Sequence, residues 1–434
     1  MPERSINRQD NAQCKVATMT PPMPEGFESD SAERHVKFDM RSQLDRDSTG
    51  GRSRPFKKDR RLAALVATAI VACFVIGVLE TTIASDKNGG RAHTSYVTHA
   101  PIVITSNSEF TGANGVLRGS GTAVDPFIIE GWDITAGGAY NEAITVANTT
   151  AYFVVQSCHL HGSGTTAVDL AGAHNADVRF NLIDSGNIGI SVSLGVNIAV
   201  SGNTVTSMDS VGIQVLTSQQ MNVSDNQATL VDQDCILVVD SHDLIVSNNT
   251  ASISNNTGMM IDNGTNVQVF GNVVSSNGNI GLELNNSQYV TVQGNNFTLN
   301  SGYGMWVSSS AYGLIYHNNF VSNTMNAYQE SSSYIRWNET YYAQDGVTVI
   351  GGNYWDTKVG TDYFSGPGQD LPGSDNIFDT RYLIAGGGSD YYPLVNKTTG
   401  PMPMIPEFQG ILLPIIGLIV VIAALVQTDG LKRK

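Results

Sequence analysis

Asp209 and Asp232 lie 23 residues apart, with Asp234 two positions beyond the second. If a repeat of that length stacks them one strand spacing apart, the carboxylates repel and shift each other's pKa. That is the condition for an acid–base pair or a calcium site. The plainer reading is a solvated turn on an acidic protein. His159 and His161 alternate across Leu160, so one strand face carries both imidazoles, a spacing that suits copper or zinc. Asp240, His242 and Asp243 form a polar bend, and nothing in the sequence positions a serine or cysteine nucleophile for them, so a loop is the better account than a triad. Near the C-terminal end Asp356, Asp362, Asp370, Asp375, Asp379 and Asp390 are scattered among Gly, Tyr and Trp. Of these Asp370, Asp375 and Asp379 are candidate calcium ligands, without the spacing of an EF-hand.

The elements that must position these groups come from a repeat. Units open at Ala143, Ala167, Gly189, Gly212, Cys235, Gly258, Gly281 and Gly304, in steps of 22 to 24 residues. The second and fourth residues of each unit are apolar, from Ile144 and Val146 to Met305 and Val307, which is strand alternation with one buried face. A later apolar column, Val178 to Ile315, is followed three residues on by Asn181, Asn203, Asn226, Asn249, Asn272, Asn295 and Asn318. Asn tolerates the left-handed backbone of a sharp bend, and identical amides stacked at about 4.8 Å can hydrogen-bond along the stack. The units lack leucine-rich spacing and helix period, so the expected fold is all-β, a right-handed parallel β-helix of about 23 residues per coil with an asparagine ladder.

Around these coils (143–326) the chain divides into a basic leader (1–61), an apolar segment (62–83), a linker and N-terminal cap with a first coil (84–142), a last coil with an Asp- and aromatic-rich cap (327–395), a Pro-rich linker (396–410) and an apolar segment with a basic tail (411–434). In that cap Tyr354, Trp355, Tyr363, Phe364, Tyr382 and Tyr391 are expected to cover the last coil, because an open β-helix end exposes strand groups and apolar core. The leader holds 13 of the 24 Lys and Arg, whereas residues 85–410 hold 8 against 27 Asp and Glu. So acidic a body argues against nucleic acid as a partner. Leu62 to Leu79 is an uncharged run of 18 behind Lys57, Lys58, Arg60 and Arg61, which places the leader in the cytoplasm and the coils outside. Ile411 to Val426 is shorter, contains Pro414 and precedes Lys432, Arg433 and Lys434, which suits a processing signal. Cys158 and Cys235 fall in coils too far apart to pair and are expected to fill the core. Nine N-x-Ser/Thr sequons agree with a glycosylated surface protein.

The segment APIVITSNSEFTGANGVLRGSGTAVDPFIIEGWDITA (100–136), the 23-residue coils and the tail GGNYWDTKVGTDYFSGPGQDLPGSDNIFDTRYLI together resemble the archaeal NosD-type β-helix proteins of the pectate-lyase-like superfold. That resemblance implies a surface protein, and it takes its name from periplasmic proteins that help assemble the copper site of nitrous oxide reductase. Pro406, Glu407 and Phe408, before an apolar run and KRK, are similar to a PEF-type sorting signal, which implies cleavage and anchoring by an archaeosortase. Where the family tail reads GSDGIGDTPY, this chain has Asn376 and Phe378 in place of two glycines.

Three functions follow. The leading one is a membrane-anchored surface β-helix that binds envelope polysaccharide or surface-layer components, or serves structurally; calcium is the candidate cofactor. A polysaccharide hydrolase or lyase is the alternative, with Asp209, Asp232 and Asp234 as its candidates. Arg179 is the one cation in residues 143–326, which disfavours a lyase acting on acidic sugars. A metal-delivery accessory protein using His159 and His161 is the third.

Overall fold

The computed structural model describes residues 95–398, apart from 138–140, 163, 340–342, 345–347 and 350. The leader, both apolar runs and the Pro406–Phe408 motif lie outside these residues. Among the described residues no helix is long and apolar enough to cross a membrane.

The chain winds as a parallel β-solenoid of about 9 turns, with ~23 residues per turn. Each full turn contributes three short strands to three faces. One turn, for example, runs through Ile236–Val239, His242–Ser247 and Thr250–Ser254. Each strand pairs in parallel with its counterpart 23 residues on: Ile236 opposes Met259, Leu244 opposes Val267, and Ala251 opposes Val274. A turn precedes the clear repeats, because Ile102–Ile104 pairs with the first-face strand at Ile144, and Trp132–Thr135 with the third-face strand at His159.

The apolar columns point inward as strand alternation requires. Ile144, Val168, Ile190, Ile213, Ile236, Met259, Leu282 and Met305 are all fully buried. Cys158 and Cys235 are free and buried, and burial pushes both thiols up to about 12. Both behave as small core residues.

At the asparagine corner the side chains bond both along the column and to backbone, four times at Asn249. Asn249 Nδ2 donates to Asn272 Oδ1 at 3.0 Å and to the Val223 carbonyl at 2.8 Å. Its Oδ1 accepts from the backbone N–H and the Nδ2 of Asn226, both at 3.0 Å. The pattern runs from Asn181 through Asn318 and on to Asn353, 35 residues further along. A second amide ladder joins Asn277, Asn300 and Asn323 at another corner.

Both ends are closed by rings. Phe110 stacks on Phe127 at the N-terminal end. At the other, Trp355 stacks between Phe320 (4.4 Å) and Tyr382 (4.3 Å), with Trp337 buried beside it. Tyr363, Phe364 and Tyr391, expected to help cover the last coil, are instead exposed at 70, 42 and 56%. Trp337, Trp355 and Tyr382 already cover the core.

Two titratable groups are buried in this cap. Asp390 accepts from the N–H of Asn353 (2.7 Å), Trp355 Nε1 (2.8 Å) and the N–H of Tyr392 (3.0 Å), and burial pushes its carboxyl up to about 7. His317 Nε2 accepts from Gly351 N–H at 3.4 Å, and burial pushes the ring down to about 4.

Asn249→Leu leaves the backbone N–H of Asn226 without its buried acceptor and removes the side-chain bonds to Asn226 Nδ2, Asn272 Oδ1 and the Val223 carbonyl, so it should cost about 3 kcal/mol in urea unfolding. A loss under about 0.5 kcal/mol would show that the ladder amides do not hold the coils. His317 titrates near 6.5 when unfolded, so its native preference for the neutral ring stabilises above that pH and is lost as pH falls toward 4. Asp390 acts in the opposite sense, its contribution fading as pH rises toward 7. Comparison with His317→Gln isolates the histidine: between pH 7 and 5 the wild type should lose about 1–2 kcal/mol relative to the variant. A pH-independent difference would contradict this account.

Candidate metal centre

On the third face, the strand His159–His161 buries Leu160 and turns both imidazoles outward. The preceding coil supplies Asp133 and Thr135, which sit opposite His159 and His161 in register. The strand Leu182–Ile183, on the other side of His159–His161, leads into Asp184.

These groups converge. His159 Nδ1 lies 3.0 Å, and His161 Nε2 3.1 Å, from the same Asp133 Oδ1. The three ligand atoms all fall within 4.8 Å of one another. Thr135 Oγ1 is 3.2 Å from His161 Nε2, the two rings stack at 4.7 Å, and Tyr96 leans on His159 at 5.5 Å. Burial raises the Tyr96 phenol, with the Cys158 and Asp133 charges adding to it. On its far side His159 Nε2 meets Asp184 Oδ2 at 2.9 Å. Side-chain exposures of 24, 29 and 36% for His159, His161 and Asp133 leave the cluster sheltered yet reachable.

A neutral His159 ring has one N–H for two carboxylates. If Nε2–H donates to Asp184, the Nδ1 lone pair faces an Asp133 oxygen at 3.0 Å, a repulsion that a cation between them converts to attraction. Ligand atoms about 3.3 Å apart are what bonds of about 2.0–2.1 Å to a tetrahedral ion require, so the set fits a small divalent ion. A ligating histidine whose other nitrogen donates to a carboxylate is the usual supporting arrangement. Cys158 adds no sulfur ligand: its side chain is buried, donating to the Gln156 carbonyl at 3.4 Å. Two nitrogens and one oxygen favour Cu(II) or Zn(II) over the softer Cu(I).

The other sequence candidates are placed differently. Asp209 and Asp232 are exposed on adjacent coils, and Asp232 accepts from Asn255 Nδ2 at 2.9 Å. Asp234 is buried; it accepts from Asn256 Nδ2 and from the N–H of Thr257, and burial pushes its carboxyl up. Asp240 and Asp243 accept from Asn263 and Asn266 one coil on, as rungs of polar ladders. In the cap, Asp379 takes N–H groups of Tyr363 and Phe364, Asp375 takes that of Ile377, and Asp362 those of Asp375 and Asn376. Each of these three fastens a loop; Asp370 is exposed.

Asp133 was not among the sequence candidates. It precedes His159 by 26 residues, because residues 136–142 interrupt the period, so the column extrapolated from the regular coils misses it.

A family model described as periplasmic copper-binding protein (NosD) matches residues 103–242 and 146–360. No curated protein matches the chain. Among solved structures, the A-module of mannuronan C-5 epimerase AlgE4 from Azotobacter vinelandii is 15% identical over 55% of this chain and 72% of that one, with a TM-score of 0.36. The enzymatically active domain of tailspike protein 2 from bacteriophage CBA120 is 14% identical over 52% and 38%, with a TM-score of 0.37. The periplasmic alginate epimerase AlgG is 12% identical over 54% and 72%, with a TM-score of 0.36. Likeness at that level says nothing about activity. The family match spans more than half of the chain, and the protein belongs to the NosD family.

Proposed function

We propose that the protein is an exported β-helix, held at the outer face of a membrane, that binds a divalent transition-metal ion at Asp133, His159 and His161. The observation that carries this reading is the meeting of both imidazoles at one Asp133 oxygen, with Asp184 on the far nitrogen of His159. The ion named in the family description, copper, is one that this donor set accepts as Cu(II). A bound ion supplies a Lewis-acidic centre, while the protein contributes orientation and a partly sheltered surface. The full-length protein should take up one equivalent of Cu(II) or Zn(II) in a chelator-competition titration. His159→Ala and His161→Ala should each weaken uptake at least about 100-fold, beyond the 10- to 100-fold typical of outer-shell changes. Unchanged affinity in both variants would rule the site out.

Export rests on the apolar run 62–79 behind four basic residues, and anchoring on the C-terminal apolar run with its basic tail and PEF-like motif, the suggested substrate of an archaeosortase. Protease added to intact cells should cut within the coils and spare residues 1–60; protection of the coils would reverse the orientation.

A second reading, contact with envelope saccharides, is favoured by the exposed rings of Tyr289, Tyr312 and Tyr334 on successive coils. Such rings supply apolar area and a hydroxyl together.

A further inference from the structure

One corner of the solenoid is held in the left-handed region on eight successive turns, at Asn175, Asn197, Gln220, Asp243, Asn266, Tyr289, Tyr312 and Tyr334, with φ between 54° and 58°. The first five are short polar or amide side chains. Asn and Asp are the types that tolerate this backbone best, and they pair along the column: Asn197 Nδ2 donates to Asn175 Oδ1 and Asn266 Nδ2 to Asp243 Oδ1. The last three are tyrosines, for which the same backbone is an unfavourable choice.

The tyrosine rings do not pack into the core. They are 56, 48 and 73% exposed and stack on one another, at 5.1 Å and 7° for the first pair and 5.0 Å and 0° for the second. Their mutual stacking offsets part of the backbone strain. It does not account for bulky rings on a solvent corner where five preceding turns use polar side chains.

The column has a period and a chemistry. It repeats once per strand spacing, close to the advance per sugar of an extended β-1,4-linked chain, so a chain laid parallel to the axis brings about one sugar to each rung, with alternate sugars turned over. Tyrosine hydroxyls and Asn or Gln amides both donate and accept, as sugar hydroxyls do. Asp243 is the column's one charge, and the tyrosines have one cation close in sequence, Arg336, which lies at the far end of the column and 4.0 Å from Glu339, so uronate or sulfate groups along the track would go largely unneutralised.

We infer that this corner is a binding track for a neutral, extended saccharide chain running along the solenoid axis, gripped by Tyr289, Tyr312 and Tyr334 and continued by Asn266 and Gln220. The inference rests on the saccharide reading above and specifies its surface, direction and sugar class.

The test titrates the full-length protein with cello-oligosaccharides of two to eight rings and with oligogalacturonates of the same lengths. The neutral series should bind, tightening with each added ring, and the charged series should bind more weakly. Replacing all three tyrosines with Asn, the column's own residue type, should weaken the longest neutral oligomer at least about tenfold. Tyr312→Asn alone should give an intermediate loss, and the thermal midpoint should confirm that both variants fold. If the wild type binds saccharides of either series but the triple variant binds them equally well, the track is wrong and the broader reading stands. Oligogalacturonates binding as tightly as the neutral series would overturn the sugar class assigned here. If the wild type binds neither series, both fall. Self-association that disappears in the triple variant, without saccharide binding, would make the corner a contact between copies and overturn the proposal.

Discussion

From Asn181 onward, the turns of this solenoid depend on the side-chain amide that closes their asparagine corner. An Asn there donates twice and accepts twice, once each way along the axis and twice to backbone, so a buried polar side chain is left with nothing unpaired. The corner could have been built from glycine, which adopts the left-handed backbone freely, but glycine carries no group to bond to the next turn. Because neighbouring rungs share their hydrogen bonds, each turn is fixed in register by the turns on either side. That is the one-dimensional coupling expected of a repeat solenoid.

Register explains where chemistry is possible. Inward positions are constrained by the core, while outward positions touch little except their own counterparts one coil away. Functional groups on such a fold are therefore assembled in columns, and any site must recruit residues about a coil apart. The proposed metal centre does this across two coils with Asp133, His159 and His161, and Asp184 adds a third. The tyrosine corner does it across three. In both, the spacing comes from the backbone ladder and the identity from residues the core does not constrain.

The same logic separates what could be read in the sequence from what could not. The strands, their inward columns and the ladder from Asn181 to Asn318 were legible, because a strict period of 23 puts equivalent residues in line. Asn353 continues the ladder but stands 35 residues beyond Asn318, past an insertion that breaks the count. Asp133 was hidden for the same reason at the other end, where the offset is 26. The left-handed corners were only partly legible: the backbone imposes that conformation on Leu230, Ile253 and Leu299 as well as on Asn and Asp, so residue type marks some of its occurrences and not others. The cap aromatics were countable, but which of them cover the core was not. Trp337 gains its place from a tertiary contact, its Nε1 donating to Gln329 Oε1 at 2.7 Å, that no local pattern encodes.

The position of the metal cluster adds a consequence of its own. A solenoid is least constrained at its first turn, whose edge has a neighbour on one side only, and here the short strand Val97–Thr98 forms that edge by pairing with Trp132 and Asp133. Tyr96, next in the chain to that strand, leans on His159. An ion shared by Asp133, His159 and His161 would cross-link the strands Trp132–Thr135 and His159–His161 where the asparagine ladder has not yet begun, since the corner position there is Cys158 and its N–H already depends on Asn181. Binding free energy at such a site adds to the stability of the turns it joins. The N-terminal end would then be stabilised by ligand occupancy, whereas from Asn181 onward the amides do that work within the chain itself.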